Sequence, residues 1–414
     1  MVDDNVTWFA GIDWGSATHQ VCLLDAAGKI VGERAFLHSG AGLAVLCDWL
    51  VSVAGDAGSV AVAIEVPHGP VVDTLLDRGF AVHAINPKQL DRLRDRFSVA
   101  GAKDDRRDAR VAASGLRTDP HLFRPVQAGD PVVVELREWS RLAEELQQEC
   151  VRLANRIRQQ LWRYYPQLLE VADGDVAAEW VLTLWTMVPT PAKAVRLREA
   201  TLAQLLRRHR IRRLDAATAL GILRQPAIRV AAGVTEAAVL HLRSLVARLR
   251  LTNQELQQAE RKLDELCATL TESTPATADS GLSDAAILRS LPGVGTVTLA
   301  ALLTEAAGPL ARRDYAALRT LSGVAPVTKR SGKSCVVVMR YAAQARLRQA
   351  VFHWARVAAQ RDPKSRARYE ALRARGHSYG RALRGIADRL LGVACVLLQR
   401  QTLFDPDHGT PAVA

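Results

Sequence analysis

The sequence lacks the cysteine patterns of metal-binding and redox proteins. Its six cysteines are scattered along 414 residues and form no C-x-x-C pair, which argues against zinc-ribbon and dithiol redox motifs. The opening residues, M-V-D-D-N-V-T, show no signal sequence, because a basic start and an apolar stretch are missing. The longest late apolar run, Leu390–Leu398, is too short to span a bilayer. We therefore expect a reduced, cytoplasmic protein with no membrane partner.

The chain has a marked excess of basic residues. It contains 55 Lys and Arg against 43 Asp and Glu, a net charge of +12, with a pI near 9.8. The excess is mostly arginine, which suits bidentate contacts to phosphate. A genome that favours arginine and alanine everywhere would give the same total, but the clustering described below favours a nucleic-acid partner. The length allows two or three domains.

The N-terminal region is predicted to be α/β. Three strands, at Trp8–Trp14, His19–Asp25 and Ile30–Phe36, are expected to form an antiparallel meander. Strand and helix patterns then alternate at Ala41–Val53, Val60–Val66, Val71–Arg78 and Ala81–Ile85, followed by a helical stretch over Pro87–Thr118. This order is the layout of a ribonuclease-H-like fold, which we assign to residues 1–125.

Four acidic residues stand at informative places in this layout. Asp13 ends the first strand, and Glu65 lies at the end of the fourth. Asp105 and Asp108 are three residues apart, which places them on one helical face. Carboxylates at strand ends and on a facing helix can assemble an oxygen cage for Mg²⁺. Beside the basic charge, they suggest phosphodiester chemistry on nucleic acid.

The middle of the chain, 126–275, is predicted to be helical. A long helix covers Glu135–Tyr165, and Leu242, Leu249, Leu256, Leu263 and Leu270 recur every seventh residue, as in a coiled coil. Thr252 interrupts the second apolar position of the heptad pattern, which favours a short or antiparallel coil. This seam would either join two chains or pack within one bundle. Between the helices, a basic insert with Arg207, Arg208 and Arg212 is either a solvated helix face or, as we favour, a nucleic-acid contact.

A linker over residues 271–284 leads to a C-terminal unit at 285–400 and a tail at 401–414. The unit opens with Leu291-Pro292-Gly293-Val294-Gly295-Thr296. Gly293 and Gly295 would let backbone N–H groups approach a phosphate at the start of the next helix. The alternative is a plain turn between two helices.

A serine loop follows in this unit. Ser331 lies among Lys329, Arg330 and Lys333, whose cations could neutralise a target phosphate. No histidine stands beside it, which argues against a Ser-His-Asp hydrolase. The simpler alternative is an ordinary phosphate contact. The apolar stretch Cys335–Met339 predicts that a hairpin braces the loop.

These motifs together resemble the DEDD transposases of insertion sequences, the group recognised as bridge-RNA-guided serine recombinases. The resemblance rests on G-I-D-W-G, I-E-V-P, K-D-D-R-R-D-A-R, the central coil, L-P-G-V-G-T and L-S-G-V-A-P-V-T-K-R-S-G-K, in that order over nearly the whole chain. The fold implied is a resolvase-like N-terminal domain, a helical coiled coil and a mainly helical C-terminal transposase domain.

The resemblance also implies residue roles. Asp13, Glu65, Asp105 and Asp108 would hold Mg²⁺, with Asp105 preferred to Asp104, and Ser331 would be the nucleophile, ahead of Ser322 and Ser334. The expected partners are donor and target DNA and a structured non-coding guide RNA. The family forms dimers that assemble into tetramers and would work at the nucleoid of a bacterium.

Two other functions remain open from the sequence. In a structure-selective DNA nuclease, of the kind that resolves Holliday junctions, the carboxylates alone would activate water and Ser331 would only contact phosphate. In a non-enzymatic scaffold, the fold would bind nucleic acid without needing the acids.

Overall fold

The computed structural model describes residues 5–97, 104–126, 129–272, 281–332 and 334–406. The chain divides into two compact units, residues 1–130 and 131–414. The first is a mixed α/β unit, and the second is mostly helical. Along the described helices, no stretch is both long and apolar enough to cross a membrane.

The first unit contains six strands and four α-helices in the part that the structure describes. In chain order they are β1 (Trp8–Trp14), β2 (Thr18–Asp25), β3 (Ile30–Leu37), α1 (Gly40–Ala54), β4 (Val60–Ile64), α2 (Pro70–Asp77), β5 (Ala81–Ala84), α3 (Pro87–Arg94), α4 (Asp105–Thr118) and β6 (Arg124–Pro125). The predicted meander and the strand–helix alternation are both confirmed. The stretch predicted as one helical segment over 87–118 is two separate helices, α3 and α4.

The six strands form one sheet in the order β3-β2-β1-β4-β5-β6. The first three are antiparallel neighbours, whereas β4 runs parallel to β1, and β5 runs parallel to β4. Because β1 and β4 are parallel neighbours, their carboxyl ends meet at the same edge of the sheet.

The two faces of the sheet carry different helices because side chains alternate along each strand. Ile12, Val62 and Ile64 pack with α1 and α2, whereas the small Ala61 and Ala63 face α3 and α4. At Gly11 the backbone of α4 lies directly on β1, because a Cβ placed there would be 1.9 Å from the Ala109 carbonyl oxygen. A glycine is therefore required at this crossing.

The second unit contains fourteen α-helices and one hairpin among its described residues. They are α5 (Pro131–Tyr164), α6 (Pro166–Ala172), α7 (Glu179–Met187), α8 (Pro191–Ala194), α9 (Glu199–Arg208), α10 (Ala216–Leu223), α11 (Val234–Glu272), α12 (Asp284–Ser290), α13 (Thr296–Glu305), α14 (Ala307–Ala311), α15 (Tyr315–Leu321), β7 (Val327–Ser331), β8 (Ser334–Val338), α16 (Ala345–Arg361), α17 (Pro363–Ala374) and α18 (Tyr379–Arg400).

The two longest helices, α5 and α11, run antiparallel against each other. Glu135 pairs with Lys262 at 3.2 Å near one end, and Glu149 pairs with Arg248 at 3.1 Å farther along. The leucine seam that begins at Leu242 packs into the cores of this same unit. The heptad pattern is thus used within one chain, so this seam need not be the surface that joins two chains.

The α5–α11 pair also explains why the middle and C-terminal regions, predicted as separate domains, form one compact unit. One end of the pair shares a core with α6 to α10, and the other shares a core with α12, α13, α16 and α18. Leu256 packs against both cores. Because the same two helices supply both cores, the described residues on either side of 273–280 pack within one compact unit.

Gly11→Ala should destabilise the first unit by about 3 kcal/mol, because the new methyl group meets helix backbone that has no rotamer to adjust. Thermal unfolding of the full chain measures this change. Gly40→Ala is the matched control, since nothing lies within 4 Å of its added Cβ. Equal stability of the two variants would contradict the close approach of α4 to β1.

Candidate active site

Two of the predicted metal ligands lie side by side at the edge of the sheet. Ile12 of β1 pairs with Ile64 of β4, so Asp13 and Glu65 are the next residues on two parallel neighbours. Asp13 and Glu65 each lie two residues after a position that faces α4, namely Gly11 and Ala63. The two carboxylates therefore lie on the α4 face, and both are half-buried.

The first turn of α4 brings two more acids to this face. Asp104 is the N-cap, and its side chain accepts a hydrogen bond from the N–H of Arg106 at 3.2 Å. Asp105 is exposed, whereas Asp108 is only 2% exposed. The positive end of the helix dipole favours carboxylates in this turn. Because Asp104 is engaged in capping, the geometry is consistent with the preference for Asp105 over Asp104.

Arg94, at the end of α3, forms a two-pronged ion pair with Asp108. Its Nε donates to Oδ1 at 2.5 Å, and its Nη2 donates to Oδ2 at 2.8 Å. Nη1 of the same guanidinium contacts Asp91. Burial opposes its charge, but the hydrogen bond to Asp108 and the negative charges of Asp108, Asp91 and Glu65 raise the pKa of Arg94. Arg94 is therefore the counter-cation of the acidic face.

Sequence reasoning missed Arg94. It lies in D-R-L-R-D-R, where three arginines stand among two aspartates and the pattern does not indicate which arginine turns inward. The packing decides this, because Leu90 and Leu93 of α3 are buried against the sheet with α4. That contact aims the end of α3 at Asp108.

The acids fit a magnesium site in chemistry, although they do not form a closed set of ligands here. Within the described ranges, no three His, Cys, Asp or Glu side chains lie close enough together to hold a metal ion. All four predicted ligands are carboxylates, the oxygen donors that Mg²⁺ prefers. Both oxygens of Asp108 are occupied by Arg94, so the cation now at this carboxylate is a guanidinium.

A buried histidine supports the strand end beside Asp13. Asp13 pairs with Gln20 and Trp14 pairs with His19 in the β1–β2 ladder. His19 is fully buried, and its Nε2 lies 2.9 Å from Nδ1 of His38. Burial and the neighbouring His38 lower the pKa of His19. A neutral His19 thus helps to fix the strand that carries Asp13.

In the second unit, Ser331 lies at the tip of an exposed hairpin. It is the last residue of β7 and pairs with Ser334 across a turn at Gly332 (φ +54°). Lys329 and Arg330 precede it on the same exposed strand. Lys333, also predicted to bind phosphate, lies outside the described residues. By strand alternation, Lys329 and Ser331 share one face of the hairpin. The predicted hairpin is confirmed.

The two alternative serines differ in their surroundings. Ser322 is 1% exposed, and its hydroxyl donates to the Leu318 carbonyl at 2.7 Å, so it is not presented to a substrate. Ser334 is exposed directly opposite Ser331. The geometry therefore argues against Ser322 but does not separate Ser331 from Ser334.

Three arginines that follow the hairpin in the chain stabilise the fold near its base. The Arg340 Nε donates to the Ala325 carbonyl at 3.2 Å. The Arg348 Nη2 donates to the Tyr341 carbonyl at 2.7 Å. Arg346 pairs with Glu144 of α5 at 3.1 Å. These three are half-buried, and their charges support the fold.

The glycines of L-P-G-V-G-T have separate roles. Gly293 has a φ of +83°, and its missing Cβ would lie 2.9 Å from the Ala358 backbone nitrogen of α16. Gly295 is the exposed N-cap of α13. A cavity of about 480 Å³ adjoins the turn, but Glu260 and Asp264 are among its lining residues. Gly293 is explained by helix packing, and a phosphate contact at Gly295 stays a prediction.

The arginines of the basic insert lie at the end of α9 and just after it. Arg207, Arg208 and Arg212 are exposed, whereas the neighbouring Arg213 pairs with Asp173 at 2.6 Å. Exposed guanidinium groups so close together repel each other unless anions neutralise them. This cluster is therefore compatible with the predicted nucleic-acid contact.

Comparison with known proteins adds to this geometry. Residues 10–166 match a model described as a transposase, the DEDD transposase of IS110, and residues 285–370 match the model of the transposase IS116/IS110/IS902 family. A Streptomyces coelicolor protein that carries the name of a mini-circle transposase for IS117 is 32% identical over 416 residues, which cover 98% of this chain and 97% of that protein. The chain belongs to the IS110/IS116/IS902 family of transposases.

Two further relatives agree with this membership. A Sinorhizobium fredii protein, also named as a transposase, is 61% identical over 210 residues, which cover 50% of this transposase but only 58% of the relative. An insertion element IS110 protein of 43.6 kDa from Streptomyces coelicolor is 28% identical over 411 residues, 97% of this chain and 96% of its own. The first model spans the four acids of the transposase, and the second spans Ser331.

The stability of the first unit of the transposase should fall as the pH is lowered below about 6.5, the ordinary pKa of histidine. Because folding lowers the pKa of His19, the unfolded chain takes up this proton first, and the stability present above that pH is lost on acidification. Thermal unfolding of the full chain across that range measures the loss. His19→Gln should flatten the response, and His121→Gln, at an exposed position, should not. Identical pH profiles in all three proteins would contradict this.

Proposed function

We propose that this transposase is an RNA-guided DNA recombinase that cuts and rejoins strands through Ser331, assisted by Mg²⁺ at Asp13, Glu65, Asp105 and Asp108. The observation that carries the proposal is the position of Ser331 at the tip of an exposed hairpin, with Lys329 and Arg330 preceding it. A hydroxyl at such a tip can reach a backbone phosphate, while Lys329, on the same face of the hairpin, neutralises it.

The chemistry exchanges one phosphodiester for another. The Ser331 Oγ attacks the scissile phosphorus, its proton is lost, and the bond to the leaving strand breaks as that strand's oxygen takes up a proton. A hydroxyl of a second strand then attacks the phosphoserine and releases the serine. The covalent link conserves the bond, so strands are rejoined without an external energy source.

The acidic face would supply charge stabilisation. DEDD transposase domains use divalent metal ions, and Mg²⁺ held there would offset the charge that develops at the scissile phosphate. Asp13 and Glu65, on adjacent strand ends, would orient the ion, and Asp105 and Asp108 would complete the set from α4. The sheet order of this unit also fits a ribonuclease-H-like fold, in which strand-end acids serve this purpose.

Partner choice follows from the same proposal. A structured non-coding RNA would select donor and target by base pairing, so that the protein needs only backbone contacts. Arg207, Arg208 and Arg212 would supply some of these. Dimers would assemble into tetramers at the nucleoid, with the acids of one protomer completing the serine site of another. The α5–α11 seam is used within the chain, so other surfaces would form the assembly.

A metal-dependent, structure-selective nuclease is the second candidate. It is favoured by the shared face of Asp13, Glu65 and Asp108, where a bound divalent ion would activate water for hydrolysis. In that case Ser331 would only contact phosphate, and no covalent intermediate would form.

A covalent adduct separates the two candidates. The transposase is incubated with DNA that spans the ends of its element and with the transcript of the flanking non-coding segment, and the products are separated under denaturing conditions. Wild type and Ser334→Ala should yield a protein–DNA adduct, whereas Ser331→Ala should yield neither adduct nor cut DNA. Asp13→Asn should reduce the adduct at least 100-fold. Omitting the RNA should abolish it.

Cleavage by Ser331→Ala without an adduct in wild type would establish the nuclease instead. An adduct formed by Ser331→Ala but lost in Ser334→Ala would move the nucleophile to the other side of the turn.

Nucleic-acid affinity should fall steeply with salt, because each neutralised phosphate contributes a slope of roughly −0.9 in log K against log salt. Replacing Arg207, Arg208 and Arg212 by glutamine in one triple variant should reduce the magnitude of that slope by up to about 3. Titrations at several salt concentrations measure it. Arg213→Gln, which removes an arginine already paired with Asp173, is the control and should leave the slope nearly unchanged. A wild-type affinity independent of salt would refute the proposed contact.

A further inference from the structure

Arg94 is bound to Asp108, a carboxylate that a metal ion at the acidic face would need as a ligand. Its guanidinium uses both oxygens of Asp108, at 2.5 and 2.8 Å. Asp108 is 2% exposed, so this carboxylate is shielded from water. An unpaired carboxylate so deeply buried would be strongly unfavourable. Arg94 therefore stabilises the acidic face when no metal ion is bound.

The same guanidinium has a second acidic partner close at hand. Its Nη1 contacts Asp91, which lies one turn earlier on α3 and whose side chain is 62% exposed. The Arg94 side chain is itself 23% exposed, so the fold does not fully enclose it. The arginine can thus keep one ion pair at the surface after it leaves the buried carboxylate.

We propose that Arg94 is an exchangeable counter-cation, which holds Asp108 until a divalent ion binds and then turns to Asp91. The inference rests on the proposed metal site. A metal ion that binds at Asp108 must therefore displace the guanidinium of Arg94. The guanidinium then pairs with Asp91 alone. Arg94 is a positioning residue in this scheme and contacts neither the substrate nor the reacting atoms.

The competition predicts opposite effects of two substitutions on one helix. Arg94→Gln removes the competitor and should tighten the binding of Mn²⁺, used as the probe, by roughly tenfold, because a full unit charge no longer opposes the ion. Asp91→Asn removes the outer partner, so Arg94 stays more firmly on Asp108, and Mn²⁺ should bind several-fold more weakly. General damage to the fold would weaken binding in both variants.

Stability without metal gives a readout that is independent of activity. With EDTA, Arg94→Gln should lower the Tm of the first unit by about 10 °C, because Asp108 is left buried without a partner. Mn²⁺ should restore most of that loss. The double variant Arg94→Gln with Asp108→Asn should regain stability in EDTA and lose the extra response to Mn²⁺. Arg96→Gln is the matched control, since it removes a nearby, more exposed arginine paired with Asp119.

The experiment titrates Mn²⁺ into the full chain, with free Mn²⁺ followed by electron paramagnetic resonance, and records Tm with and without the ion. Tighter binding in Arg94→Gln, weaker binding in Asp91→Asn and unchanged binding in Arg96→Gln support the exchange. Unchanged or weaker binding in Arg94→Gln, with wild type still binding Mn²⁺, overturns the exchange and leaves the metal site standing. Absence of Mn²⁺ binding in both wild type and Arg94→Gln overturns both.

Discussion

The missing side chain at Gly11 is the constraint on which the acidic face depends. A helix can lie directly on a strand only where no Cβ intervenes, and here the Ala109 carbonyl of α4 occupies the space that a Cβ would fill. Ala61 and Ala63 of β4 also have short side chains on this face of the sheet. As a result, the first turn of α4 reaches the carboxyl ends of both strands. Acids nearly a hundred residues apart in the chain lie on the same face of the sheet because one residue of β1 has no side chain.

Bringing carboxylates together creates a repulsion that the fold must offset. Water cannot do this at Asp108, which is buried, so an internal cation is needed. Helix α3 supplies it, and the same packing that seats α4 also seats α3, because Leu93 lies against Gly115. The position of the acids and the position of Arg94 therefore have one cause. A divalent ion at this site would compete with Arg94 for a carboxylate that is already paired.

The sequence allowed some of this to be predicted and not the rest, for physical reasons. The positions of Asp13 and Glu65 at strand ends were predictable, because strand alternation and strand ends are local properties, visible in G-I-D-W-G and I-E-V-P. The Arg94–Asp108 pair was not, because charged helix ends give no periodic signal of which partner they meet in three dimensions. The leucine heptads likewise predicted a buried seam correctly but could not name its partner, since a seam fits any complementary helix. Here α5 of the same chain fills it.

Ser331 lies on an element that receives little support from the rest of the fold. A two-stranded hairpin exposed along its length is marginally stable by itself, and here Arg340 and Arg348 hold only its base through backbone carbonyls. Residues 327–338 contain no carboxylate and no histidine, so the hairpin carries no ordinary base to accept the serine proton. It does carry Lys329 and Arg330, which suit a phosphate. Such a tip can position a nucleophile and its substrate, and in the proposed serine chemistry the activating groups would come from outside the hairpin.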